Sequence, residues 1–414
     1  MPITLQTQCC IVGGGPAGMM LGFLLARAGV EVMVLEKHAD FLRDFRGDTI
    51  HPSTLELMHE LGILEEFLKR PHQKAHELAG KVGKETLTMA DFSHLPTQCK
   101  FIALMPQWDF LNFIVEQGKA EQGSRYPGFQ VRMQFEATDL ITDDGRVAGV
   151  RAKTPDDEFE IRAALTVGAD GRRSVVRDRA GLQVIDIGAP MDVLWMRLSR
   201  HPTDPGQTLG HAVAGKMFVM IDREDYWQCG FVIAKGAADE LRKRGIEQFR
   251  EDIAGLEPFL RDRVSELRDW NDVSLLTVKV DRLKQWWRPG LLCIGDAAHA
   301  MSPVGGVGIN LAIQDAVAAA NILAAKLAAG TVSEDDLAAV QRRRKFPTRA
   351  TQRLQVAIQN GVIPRVLGSS KPLTLPWPFR LMQRWPLLRR IPARVIGMGF
   401  RPEHVRTPDA APRR

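Results

Sequence analysis

An α/β fold that opens on a βαβ unit is what the sequence predicts, on three stretches that share one pattern. IVGGGPAGMMLGFLLARAGVEVMVLEKH (11–38), LTVGADGRRSVVRDRAG (165–181) and GDAAHAMSPVGGVGINLA (295–312) each carry a glycine-bearing turn at the end of a short apolar run, with helical spacing after it. Short apolar runs bounded by turn residues read as buried strands, and glycines just beyond them mark places where backbone or ligand comes close. Strand, turn and helix repeated along a chain is the pattern of a parallel sheet.

Bulk properties narrow the function classes. A chain of 414 residues suffices for one large or two ordinary domains, and 45% hydrophobic content excludes disordered and collagen-like classes. No uninterrupted apolar run approaches the roughly 20 residues of a membrane span, and the N-terminal stretch lacks the layout of a signal peptide, so a cytoplasmic protein is expected. Cys9, Cys10, Cys99, Cys229 and Cys293 are odd in number and without metal-ligand spacing. Reduced core thiols and no metal site are expected. The net charge of +6 hides an asymmetry, because from Pro347 onward there are 13 Lys+Arg against 2 Asp+Glu, which leaves a mildly acidic body. A nucleic-acid-binding body would carry a basic stripe on its own fold, so no nucleic-acid partner is expected.

In the first stretch, an apolar run (Cys9 to Val12) leads into Gly13, Gly15 and Gly18 at GxGxxG spacing. A helix stopped by Gly29 follows, then a second apolar run (Val32 to Leu35) ending at Glu36. Gly13 allows the tight turn, Gly15 lets a pyrophosphate approach the backbone, and Gly18 lets the helix pack closely on the strand. The helix N-terminus offers free N–H groups to the phosphates, and Glu36 is placed to accept the hydroxyls of an adenosine ribose.

The segment 46–70 reads as a helix, with Ser53 and Glu56 as an S-x-x-E capping box ahead of Leu55, Leu57, Met58, Leu61 and Leu64; upstream, Arg46 reads either as a solvated charge or as a group over the cofactor. Asp144-Gly145, between two alternating runs, is a hairpin turn without function. Asp170-Gly171 lies between an apolar strand and a polar helix-like segment, and stands open between a site and simple punctuation. In the third stretch, Leu291 to Ile294 reads as a buried strand and Gly295-Asp296 puts a carboxylate at its end. Beyond the glycines a helix runs from Asn310 to Leu327, so its N-terminus faces something negative or electron-rich across a nearly bare backbone. The GKS/T ending of a phosphate loop is absent, and a flat isoalloxazine ring fits better.

Those three motifs in that order resemble the FAD-dependent aromatic hydroxylases, the para-hydroxybenzoate hydroxylase-like class of flavoprotein monooxygenases, over roughly residues 8 to 345. The resemblance implies a GR2-type Rossmann-like FAD-binding domain, discontinuous over 1–71, 101–180 and 281–346. An inserted antiparallel β-sheet substrate domain (72–100 and 181–280) and a basic helical C-terminal segment (347–414) complete it. It implies FAD as cofactor, NADPH or NADH as cosubstrate, and hydroxylation of an aromatic or polycyclic small molecule with O2 through a flavin hydroperoxide. Carried onto this sequence, Glu36 would bind the adenosine ribose, while Arg46 and Gln107 would contact FAD. Asp170 would serve FAD and the path of the nicotinamide cofactor, and Asp296 would hold the ribityl or ribose region. Pro303 and Gly305 would line the reacting edge of the flavin, with Gly308, Ile309 and Asn310 donating to its pyrimidine side. Pro16, Ala17, Lys37, Gly171, Gly295 and Gly306 fall among the cofactor contacts on the same grounds.

In the substrate domain, KMFVMIDREDYWQCGFVIA alternates so that Tyr226, Gln228 and Gly230 share one face and Trp227, Cys229 and Phe231 the other; one face should roof the flavin. Tyr226 or His211 would help deprotonate a phenol, against the plainer reading of ordinary sheet residues. His299 and His51 read as structural. The basic, proline-broken tail has three readings: packing over the body, a homodimer interface, or a peripheral membrane contact. A flavin-dependent halogenase is discounted because its Trp-x-Trp-x-Ile-Pro signature is missing. A reductase or dehydrogenase acting on a hydrophobic lipid or quinone without oxygen insertion is the alternative enzyme, and a nucleotide-sensing module without turnover the alternative outside enzymology.

Overall fold

Parallel strands need crossovers, and the spacing of strands and helices along the chain supplies them. The computed structural model describes residues 2–42, 49–120, 123–205 and 209–411. The elements that frame the site are β1 (Ile3–Val12), α1 (Pro16–Arg27), β2 (Val32–Glu36), α2 (Gln107–Gly118), β3 (Phe129–Met133), β4 (Glu158–Gly168), β5 (Leu291–Cys293) and α3 (Gly308–Ala328). The five strands run parallel in the order β3-β2-β1-β4-β5. Their register is the main architectural fact: Val12 pairs with both Leu35 and Gly168, and Gly168 pairs with Cys293. The C-terminal ends of β2, β1, β4 and β5 therefore lie in one row. At about 4.8 Å per strand, that row spans roughly 15 Å.

Beside β4, the strands Glu136–Asp143 and Arg146–Lys153 form an antiparallel hairpin, with Asp144 at φ 47° and Gly145 at φ 79° in its turn. Two positive φ values in succession are what a two-residue hairpin turn needs. A second sheet joins Ser274–Leu276, Met191–Ser199, Tyr226–Ala234, Lys216–Asp222, Leu209–Val213, Glu77–Val82 and Glu85–Asp91 in that order. Its alternation divides its faces. Leu194, Met196, Trp227, Cys229 and Phe231 are buried with Phe249 and Ile253 of the helix Ile246–Leu256. On the other face Met191, Val193 and Val232 pack with Val304 of the glycine loop.

Two readings of the sequence change. The helix after residue 51 spans Pro52–Glu60 with His51 at its N-cap, and Ser53 and Glu56 form no capping box. Pro52 has a fixed φ suited to the first helical position and starts the helix early, and the Glu56 carboxylate instead accepts the Gln98 N–H at 3.0 Å. Within α4 (Glu334–Leu367), Pro347 and Pro364 lie inside one helix, so the change of composition at Pro347 is no element boundary. The segment Val304–Ala328 is long and apolar enough to cross a bilayer, yet 67% of its most apolar window is buried inside the fold, where α3 packs against α1 and α4. The five cysteines are buried and free.

The tail packs on the body. A buried charge cluster fixes it: Asp315 of α3 accepts from His299 Nε2 at 2.5 Å and from Arg344 Nε of α4 at 2.9 Å, and Arg344 Nη1 also donates to Glu403 at 3.2 Å. Burial alone would raise the Asp315 carboxyl, but His299 and Arg344 hold it below its ordinary value. Beyond Glu403 the chain straps across the body. Arg27 Nη1 donates to the Thr407 carbonyl at 2.8 Å, and the Tyr126 hydroxyl donates to Asp409 at 3.2 Å. Removing one partner of a buried charge set leaves the others uncompensated, so Arg344→Met is expected to cost about 3–5 kcal/mol of stability. Urea unfolding followed by circular dichroism checks this.

Candidate active site

Each of three turns leaves the row of strand ends, and each is shaped by a glycine. Gly13, at φ 110°, could not carry a side chain, because a Cβ there would lie 2.4 Å from the Ala169 carbonyl oxygen. A Cβ on Gly18 would fall 2.0 Å from the Gly13 oxygen, so α1 rests directly on the turn. A Cβ on Gly15 would meet nothing within 4 Å, which leaves that side of the loop open. Gly15 is the N-cap of α1, offers no side-chain cap, and is followed by Pro16 and the buried Ala17. The first N–H groups of the helix therefore face the open side unsatisfied. Glu36 reaches back to this loop, accepting the Gly14 N–H and the His38 N–H, each at 3.1 Å. Lys37 is exposed. Arg46 lies outside the described residues.

At the end of β4, Asp170 turns inward. Its carboxylate accepts from Ser174 Oγ at 2.5 Å and from the Val176 N–H at 3.2 Å, so it braces the start of the short helix that Ser174 caps. Burial pushes its pKa up, and those hydrogen bonds only partly offset the rise. Gly171, at φ 82°, has open space where a side chain would be. The group presented outward is Arg172, whose Nε donates to Asp296 at 3.1 Å and whose buried Nη1 has no partner among the described residues. The turns after β4 and β5 are thus joined by an ion pair between residues 124 apart in sequence.

The turn after β5 is tethered from below, since the Gly295 N–H donates to Asp315 at 3.1 Å. The loop 303–308 begins with Pro303 and carries Gly305 and Gly306 at φ 79° and 63°. Thr49 Oγ1 donates to the Gly306 oxygen at 2.9 Å, and a Cβ on Gly306 would lie 2.4 Å from that hydroxyl. A Cβ on Gly305 would meet only Val307, at 3.7 Å. The loop delivers the N-terminus of α3, which has no side-chain cap, so the N–H groups of Gly308, Ile309 and Asn310 lack intrahelical acceptors. The Asn310 side chain is committed to the scaffold: Oδ1 accepts from the His51 N–H and the Thr54 hydroxyl, each at 2.8 Å, and Nδ2 donates to the Thr49 carbonyl at 3.0 Å.

Gln107 is the first residue of α2 and half-buried. Tyr226 lies on the sheet face that meets the loop, with the Arg197 guanidinium 4.6 Å from its ring centroid. His211 pairs across the strands with Phe218 and faces the helical layer. There its Nδ1 contacts Glu257 at 2.9 Å, and that hydrogen bond raises its pKa. His51 is fully buried, donates from Nδ1 to the Ile396 carbonyl at 2.8 Å, and is pushed down to about 4 by burial. His299 belongs to the charge cluster described above.

The sequence reading missed three groups. Arg172 lies in the second glycine stretch and its partner Asp296 in the third, and no local pattern joins them. Thr49 carried no pattern. Gln352, Gln355 and Gln359 line one side of α4: Gln355 Nε2 donates to the Ser302 and Val304 carbonyls at 2.9 and 2.8 Å, and Gln352 Nε2 to the Ala300 carbonyl at 3.1 Å. Their spacing of three and four was visible in TQRLQVAIQN as a polar helical stripe.

The family described as "FAD binding domain" matches residues 6–354. The chain is 34% identical over 353 residues to the 6-methylpretetramide 4-monooxygenase of Streptomyces rimosus, covering 85% of this chain and 83% of that one. It is 26% identical to the para-nitrophenol 4-monooxygenase of a Pseudomonas species over 81% of this chain and 82% of that one. Among solved structures, the p-nitrophenol 4-monooxygenase of Pseudomonas putida aligns with a TM-score of 0.74 at 20% identity, over 94% of this chain and 97% of that one, which shows a shared fold. A Cβ at position 306 would combine positive-φ strain with a collision against Thr49. Gly306→Ala is therefore expected to weaken flavin binding by about tenfold or more while the chain stays folded, as read by flavin fluorescence titration beside a thermal melt.

Proposed function

Because the chain belongs to the FAD-binding-domain family of flavoprotein monooxygenases, we propose that it spends NADPH or NADH to place one oxygen atom of O2 on an aromatic or polycyclic small molecule. One observation carries the reading: three glycine turns leave adjacent, in-register strand ends on the same edge that receives the uncapped N-terminus of α3. The residues present fit an extended flavin dinucleotide. The open sides of Gly15 and Gly305 are cradles that a Cβ would intrude on, and the buried, unpartnered Nη1 of Arg172 is a donor that an acceptor-rich ligand would satisfy. When bound, FAD supplies the redox and oxygen-transfer chemistry.

The chain then has four tasks. Gly13 to Gly18 and the N-terminus of α1 hold the pyrophosphate, and Glu36 fixes the loop while accepting from the adenosine ribose. Asp296, held by Arg172, orients the sugar-like chain, with Gly171 and Gly295 admitting it closely. The N–H groups of Gly308, Ile309 and Asn310 stabilise negative charge at the pyrimidine edge, and Gln107 approaches from α2. Pro303, Gly305 and Gly306 line the reacting edge, and the sheet packed on Val304 keeps water from it. The relatives named for 6-methylpretetramide and para-nitrophenol support an aromatic substrate class. Tyr226, on the loop-facing side, is the candidate to move a phenolic proton; His211 is turned away from the loop and engaged with Glu257.

The purified protein is expected to be yellow, to oxidise NADPH or NADH faster when an aromatic substrate is added, and to give a product one oxygen atom heavier by mass spectrometry. A product that only gains or loses hydrogen would support the lipid or quinone reductase instead, and a colourless protein would defeat both. Tyr226→Phe should lower kcat by about a hundredfold near neutral pH with partial recovery as pH rises toward the substrate's own ionisation. An unchanged rate and pH profile would return Tyr226 to an ordinary sheet residue.

A further inference from the structure

From Leu337 to Pro402 the chain contains 14 Lys+Arg and no Asp or Glu. The middle of that stretch folds into two short helices, α5 (Trp377–Arg384) and α6 (Arg390–Gly397), joined by a turn of 3-10 helix at Pro386–Arg389. Their inner side is anchored. Gln383 Nε2 donates to the Thr86 carbonyl at 2.9 Å, Ala393 is fully buried, and a Cβ on Gly397 would press on Leu95 at 2.7 Å. The outer side is apolar and open: Trp377 is 76% exposed, Trp385 58%, Leu387 66% and Ile391 64%. Trp377 and Leu381 lie four residues apart and so share one flank of α5, with Trp385 as its C-cap. Lys371, Arg380, Arg384 and Arg394 are exposed, and among the described residues no carboxylate pairs with any of them.

We infer that residues 371–394 form a docking face for an anionic lipid bilayer. Large exposed apolar side chains in a monomer mark a contact surface. Trp and Leu among cations, in a segment that itself carries no acid and has Asp91 of the neighbouring strand only beside Arg390, match the boundary between headgroups and acyl chains, where indole rings settle and Arg reaches the phosphates. Charge decides against the competing occupants. A second copy meeting this face would set Lys371, Arg380, Arg384 and Arg394 against the same four cations, which is repulsive. A nucleic acid would satisfy the cations and stack on the indoles, but would leave Leu387 and Ile391 in water. The face is also linked to the reaction site, because α6 continues into Val395 and Ile396, which wall a pocket with Gly305, Val307, Leu354 and Ile358.

The experiment is sedimentation of the full-length, flavin-loaded protein with extruded vesicles of phosphatidylglycerol and phosphatidylcholine, or of phosphatidylcholine alone, at low and high salt. The expected result is co-sedimentation with the anionic vesicles only, reversed by salt, with a blue shift of tryptophan emission. The Arg380→Glu, Arg384→Glu pair should reduce binding by about tenfold or more. Trp377→Ser with Trp385→Ser should reduce it independently, while both variants keep the flavin absorbance of the parent. Four outcomes would overturn the proposal: no binding to anionic vesicles, equal binding to neutral ones, a concentration-dependent dimer abolished by the tryptophan changes, or tighter binding to a duplex oligonucleotide than to vesicles.

Discussion

Everything at the site depends on a backbone register. Parallel hydrogen bonding fixes Leu35, Val12, Gly168 and Cys293 side by side, so the turns that follow β2, β1, β4 and β5 emerge along a single edge. A slip of one residue in any of these pairings would turn that strand's side chains to the other face and withdraw its turn from the row. The strands are buried in apolar surroundings, and that burial penalises any slip. The glycines are then consequences: where neighbouring turns cross within a few ångströms of one another, as Gly13 does with Ala169, no Cβ fits.

Under that edge, the buried charges tie the distant parts of the chain to one another. Asp315 receives the Gly295 N–H, His299 and Arg344, so one carboxylate joins the turn after β5, the core helix α3, and α4. Arg344 passes the connection to Glu403, and from there the last residues strap across α1. The cost of burying these ions is met only while the set is complete. The cluster thus makes the glycine loop and the C-terminal strap one cooperative unit. The glutamines of α4 add a second hold, donating to carbonyls at 300, 302 and 304 just where the loop leaves the core.

The two sides of the catalytic region have different characters. The dinucleotide edge is built of backbone, helix ends and a few charges, an arrangement that recognises phosphate and ring edges with little side-chain bulk. The opposing sheet is built of alternating side chains, and its loop-facing surface carries Trp195, Arg197 and Tyr226, where substrate preference would be set. Between them α4 reaches Val304 through Ile363, so the basic C-terminal region closes on the glycine loop.

Local pattern alone determined a good deal: the GxGxxG turn and Glu36, the hairpin at Asp144-Gly145, the alternation that divides Tyr226 from Trp227, and the glycine loop before a helix. These are short-range features, set by steric limits on φ and by periodicities of two and 3.6 residues. Other features depended on which residues the fold brings together. Asp170, open in the sequence between a site and punctuation, turns inward to hold the start of the next helix, while Arg172 beside it meets Asp296; the Ser53 and Glu56 box gave way to a start at Pro52; and His211 took the far face of its sheet. The buried set around Asp315 joins residues 299, 315, 344 and 403, and Thr49 meets Gly306 across more than 250 positions. A sequence states a side chain's chemistry and its neighbours along the chain. A charge or hydrogen-bonding group finds its partner through packing across hundreds of residues, and only the tertiary structure decides that.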